Sequence, residues 1–68
     1  MVDRIAITLK AARVNAGLTQ KKAAKLLEIS QNKLIHWERD PQIVNLREQR
    51  KISRAYDIPI DNIFFGKK

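Results

Sequence analysis

The sequence contains no cysteine and a single histidine, His36. Disulfides and thiolate metal sites are thereby excluded, and one imidazole cannot assemble the ligand set that zinc requires. Glycine and proline number only two each, so little punctuates the chain. The longest apolar runs are three residues, Ile5–Ile7 and Ile63–Phe65. Both fall far short of a signal-peptide core or of the roughly 20 residues that span a bilayer. A soluble, unsecreted protein of the reducing cytoplasm, with no membrane partner, is expected. Acidic residues are also scarce, 7 Asp plus Glu against 14 Lys plus Arg, for a net charge of +7. That imbalance selects polyanions as partners.

At 68 residues the chain has room for a single core, so one domain spanning 1–68 is expected. An apolar fraction of 44% is too high for intrinsic disorder despite the charge. Apolar residues recur at spacings of three and four with no strand-type alternation, and this predicts an all-α chain of five short helices. The first runs from about Asp3, a candidate N-cap, to Asn15, with Ile5, Leu9, Ala12 and Ala16 inward and Gly17 ending it. Thr19 caps a second, about Gln20 to Leu27, with Ala23, Ala24 and Leu27 inward and Lys21, Lys22 and Lys25 outward. Ser30 caps a third, about Gln31 to Glu38, which turns Leu34 and Trp37 inward and Gln31, Asn32, Ile35 and His36 outward. Asn45 and Glu48 form a capping box for a fourth, about Leu46 to Tyr56, with Leu46, Ile52, Ala55 and Tyr56 as its buried stripe. Asp61 to Phe64 provides a last turn that brings Ile63 and Phe64 to the core.

The informative stretch is Gln20 to Arg39. Two short helices separated by three residues, with small Ala24 at their closest approach and Ile29 inside the turn, fit a helix-turn-helix at about 19–39. The outward face of the third helix is then free to enter a DNA groove. Gln31 and Asn32 at its N-terminal end are residue types that bond adenine N6 and N7 in a bidentate way, and His36 points the same way one turn later. Lys21 lies nearest the start of the second helix, while Lys33 and Arg39 flank the reading face, so all three are candidate phosphate contacts.

Leu18-Thr19-Gln20, Ala23-Ala24, Leu27-Glu28-Ile29-Ser30, Leu34, Trp37-Glu38 and Ile52 to Phe64 resemble the Cro/CI (Xre) helix-turn-helix family of phage and bacterial regulators. The resemblance covers nearly the whole chain and implies a compact five-helix, lambda-repressor-like DNA-binding domain. It implies base reading by Gln31, Asn32 and His36, and a Gln20 that binds phosphate and braces the first recognition-helix side chain. Thr19 joins that phosphate-facing set, as do the backbone amides at Asn45 and Leu46. It further implies an ion pair between Arg13 and Glu38, and a homodimer formed through the C-terminal end that reads a pseudo-palindromic operator. Phe65 is a candidate for that interface or for the chain's own core, and outward Ile7 and Val14 form a second candidate patch. Glu28 and Asp57 stand where the family favours glycine and are expected at positive φ. Asp40 also replaces a frequent glycine, Ala23 a usual leucine, with Trp37 filling the volume, and Gln49 a usually apolar residue.

The function so implied is a repressor- or Cro-like transcriptional regulator, associated with the nucleoid and using no cofactor. The competing reading is an antitoxin or antirepressor, whose main ligand on the same fold is a protein; excess basic charge argues against a ligand that is exclusively protein. Paired-carboxylate, nucleophile–histidine and phosphate-loop spacings are missing, and so small a globule lacks room for the roughly 300 Å³ of a typical ligand pocket, so an enzyme is not expected.

Overall fold

A computed structural model describes residues 6–66. Four helices, α1 (Leu9–Asn15), α2 (Gln20–Leu27), α3 (Gln31–Arg39) and α4 (Leu46–Tyr56), carry most of the chain. Short 3₁₀ turns lie at Pro41–Ile43 and Ile60–Asn62, and two-residue strands β1 (Ile7–Thr8) and β2 (Ile63–Phe64) pair in parallel, Ile7 opposite Ile63 and Thr8 opposite Phe64. Among the described residues no helix is long and apolar enough to cross a membrane.

Each helix starts where a side chain takes over an orphan amide. The hydroxyls of Thr8, Thr19 and Ser30 accept from the amides of Ala11, Lys22 and Lys33 at 3.0–3.1 Å. At α4, Asn45 Oδ1 accepts from the Glu48 amide at 2.8 Å while Glu48 Oε1 accepts from the Asn45 amide at 3.0 Å. Three of the helices also end alike. Gly17, Glu28 and Asp57 take φ of 77°, 60° and 54°, and the next amides, of Leu18, Ile29 and Ile58, reach back to the carbonyls of Arg13, Ala24 and Ser53. This is the Schellman arrangement, in which an apolar residue follows the left-handed one and folds onto the helix end. Leu18, Ile29 and Ile58 do so, each packed against the core.

The core gathers Leu9 and Ala12 of α1, Ala23, Ala24 and Leu27 of α2, Leu34 and Trp37 of α3, Val44, Ile52 and Tyr56 with α4, and Ile63 and Phe65. Ala23 and Ala24 are almost wholly buried, and their small side chains let α2 lie close to its neighbours. Gln49 keeps its departure from an apolar residue satisfied by donating Nε2 to the Val44 carbonyl at 3.1 Å. Asp40 follows α3 at φ −136°, a conformation open to any residue, so the lost glycine costs nothing there.

Several expectations are corrected. Among the described residues the α-helices are four, not five. After Pro59 only one 3₁₀ turn forms, and the chain then extends, so Ile63 and Phe65 point inward while Phe64, expected in the core, is 47% exposed. The first helix begins at Leu9, because β-branched Ile7 and Thr8 extend and Thr8 serves as the cap; Asp3 and Ile5 lie outside the described residues. Ala16 lies past the end of α1 and is exposed. Leu46, in the first turn of α4, is 55% exposed. Ile7 is half-buried against the core through its strand pairing, whereas Val14 is exposed.

Candidate nucleic-acid interface

Buried Leu34 and Trp37 fix the inner side of α3, and this leaves Gln31, Asn32 and His36 on the open side, all exposed. Asn32 and His36 are four residues apart and share a face; Gln31 stands beside Asn32 on the first turn. The Ser30 cap closes the turn just before them, so Gln31 and Asn32 project from the leading end of the helix and His36 follows one turn on.

The scaffold behind this face converges on Glu38, at the far end of α3. Arg13 from α1 donates Nε to Glu38 Oε2 at 2.6 Å and Nη2 to Oε1 at 3.4 Å, and its Nη1 donates to the Leu18 carbonyl at 2.9 Å. Both side chains are over nine-tenths buried. Gln20, opening α2, donates Nε2 to Glu38 Oε1 at 3.2 Å. Tyr56 of α4 lies in the same field. Burial, then the Glu38 charge, pushes its phenol up to about 12, partly offset by Arg13, and its buried hydroxyl has no hydrogen-bond partner among the described residues. One carboxylate thus ties three helices together and is felt by the fourth, which sets the orientation of α3 from its buried end.

The expected phosphate contacts fall into two groups. Lys21 and Arg39 are exposed and form no ion pair among the described residues. The other four are already engaged. Thr19 caps α2, and Gln20 turns its amide toward Glu38. Lys33 Nζ stands 3.8 Å from Glu48 Oε2 and 5.4 Å from the centre of the Trp37 ring. Asn45 spends both side chain and backbone amide on its capping box, so the open donors at this helix end are those of Leu46 and Arg47. Glu48 therefore has a second role that the sequence showed only as a cap: its free oxygen holds Lys33, a contact across elements that no local spacing encodes. Phe65 sits in its own chain's core at 9% exposure, and Phe64 beside it is the exposed aromatic.

Two short helices joined at the αL residue Glu28, the second offering polar side chains from its leading end and held by a buried ion pair, define a helix-turn-helix unit. The helix-turn-helix family model matches residues 9–63, and the chain belongs to that family. It is similar to the HTH-type transcriptional regulator ImmR of Bacillus subtilis (strain 168), 42% identical over 53 residues that make up 78% of this chain and 42% of that protein. The match thus spans less than half the length of that relative. No solved structure matches the chain.

Proposed function

We propose that the chain binds double-stranded DNA in a sequence-specific way as a transcriptional regulator, with α3 in the major groove of a pseudo-palindromic operator. The observation that carries this reading is the exposed set Gln31, Asn32 and His36 on a helix whose opposite side is buried and pinned at Glu38. Gln31 and Asn32 have donor and acceptor pairs that match an adenine edge, and His36 reaches the next bases or a phosphate. Lys21 and Arg39 supply phosphate neutralisation from either side, with the Leu46 and Arg47 amides at the start of α4 and a Lys33 released from Glu48. The charge of +7 supports this, as does the family to which the chain belongs.

A homodimer places two recognition helices about 34 Å apart, one turn of DNA. Its interface is drawn from Phe64 and Ile43, both exposed. Gly66, at φ +91°, packs so closely on Gln42 that a Cβ would lie 2.9 Å from the Gln42 Cβ, so the C-terminal segment runs beside the turn that carries Ile43.

Selection of duplexes from a randomised pool at about 150 mM salt, where non-specific contacts are heavily screened, tests the proposal. A two-fold symmetric consensus is the expected result. Gln31→Ala then relaxes preference at one position per half-site at a cost of about 1–3 kcal/mol, while Lys21→Ala weakens all sequences evenly. A pool that enriches no sequence overturns the reading.

A further inference from the structure

The described residues contain a concavity that plays no part in the proposed DNA face. It has a volume of about 350 Å³, lies open on the outer side of α2, and is lined by Leu18, Lys22, Lys25 and Leu26. Its size exceeds what so small a chain was expected to hold, but it is a surface groove and not an enclosed pocket. The lining is almost wholly apolar, because the two lysines contribute their aliphatic stems and carry their ammonium groups to the rim. Leu26 is 55% exposed, an apolar side chain of an otherwise polar helix face left in water.

We propose that this groove is a docking surface for an acidic amphipathic helix of a protein partner. Leu18, Lys22 and Leu26 follow one another at four-residue spacing, with Lys25 alongside. Lys22, Lys25 and Leu26 belong to α2 and Leu18 to the turn before its Thr19 cap, and together they form an apolar floor with cations beside it. An amphipathic helix laid in such a groove places its apolar anchors, at i, i+4 and i+7, along the floor formed by Leu18 and Leu26. Carboxylates flanking those anchors meet Lys22 and Lys25, which form no ion pair among the described residues. Charge decides the occupant. A second copy of the chain meeting groove to groove would bring four lysines together in a pair that already carries +7 on each side. Nucleic acid is disfavoured by the floor, since phosphates gain nothing from leucine. At 100° per residue Leu26 stands about 140° around α2 from Lys21 and Lys25 about 40°, so the apolar floor faces away from the proposed phosphate contact while Lys25 lies on the side nearer to it.

The probe is a synthetic helical peptide of about three turns with leucines at i, i+4 and i+7 and glutamates between them. It is titrated into the ¹⁵N-labelled full chain. Expected are amide shifts centred on Leu18, Lys22, Lys25 and Leu26, with affinity weakened at least about tenfold by Leu26→Ser or by Lys22→Gln with Lys25→Gln. These residues are exposed or half-buried, and melting curves establish that the variants fold. The wild-type chain decides the question even if they do not, through a scrambled peptide of equal charge whose leucines share no face. Equal binding of the scrambled peptide reduces the effect to bare charge and overturns the proposal. So do shifts centred on Gln31, Asn32 and His36, which make the peptide a DNA mimic, an absence of shifts, or groove shifts that grow with protein concentration alone, which make the occupant a second copy.

Discussion

Glu38 has three donor contacts within a site closed to water, so removing one charge of its pair leaves the other stranded. Replacing one partner of a buried pair costs about 3–5 kcal/mol. The 2.6 Å contact and the near-complete burial of both side chains place Arg13 and Glu38 in that regime. At about 0.05–0.15 kcal/mol per residue the whole domain is stable by about 3–10 kcal/mol, so either Arg13→Met or Glu38→Leu removes a large share of the total. In melting temperature the loss is about 12–40 °C, at about 4–8 °C per kcal/mol. The double variant Arg13→Met/Glu38→Leu strands no charge. It leaves the Leu18 carbonyl and the Gln20 amide without their partners, a cost of about 1–3 kcal/mol because half-buried Gln20 can turn to water. It is therefore expected to be more stable than either single variant. Urea unfolding followed by circular dichroism at neutral pH measures all four corners of the cycle. Single effects that add to within about 0.5 kcal/mol, or a pair whose contribution vanishes in 1 M salt, would refute the reasoning.

Tyr56 sets an alkaline limit. Its phenol stays protonated in the folded chain up to about 12 but titrates near 10 when unfolded, so its contribution is intact below pH 10 and is lost as pH rises from 10 to 12. The loss is roughly 2–3 kcal/mol, seen as a fall in the urea midpoint that Tyr56→Phe abolishes. That same variant deletes a buried hydroxyl without a partner and is expected to hold or raise the melting temperature at neutral pH; a marked drop sinks the assignment. Glu28→Gly relieves a φ of 60° and stabilises by about 1 kcal/mol, since the exposed Lys51 contact it forfeits is worth little. Glu48→Gln keeps an acceptor for the Asn45 amide but frees Lys33; on the proposed reading every duplex then binds more tightly, with a salt slope steeper by about 0.9, and unchanged affinity counts against a Lys33–phosphate contact.

Where the local chemistry is explicit, the chain was legible. Thr19, Ser30 and Asn45 announce three helix starts, and the spacing of Leu34 and Trp37 is enough to put Gln31, Asn32 and His36 outside. Glu28 and Asp57 were readable as left-handed positions only through the resemblance to a family, because neither residue type demands positive φ. The ends were not legible. Over Ile63, Phe64 and Phe65 a period of two and a period of 3.6 cannot be told apart, and the choice falls to Ile7 and Thr8, more than fifty residues away in sequence, which provide the strand partner. Leu46 fits a helical stripe but belongs to a first turn that stands clear of the core. The Lys33–Glu48 contact and the approach of Tyr56 to Glu38 depend on how α4 crosses the rest of the bundle, which no single segment specifies.

The pairing of β1 with β2 has a kinetic meaning. Joining Ile7 to Ile63 closes a loop of about 55 residues, an entropic cost of about 3.5 kcal/mol beyond the constant term, in return for a two-residue ladder. Such a ladder cannot nucleate the fold; it forms once the helices have brought the chain ends together. Helices built from near neighbours assemble first, and the strand pair is the last element to close and the first to open. In hydrogen exchange, Phe64 should therefore exchange by local fraying while Leu34 and Ile52 wait for global unfolding.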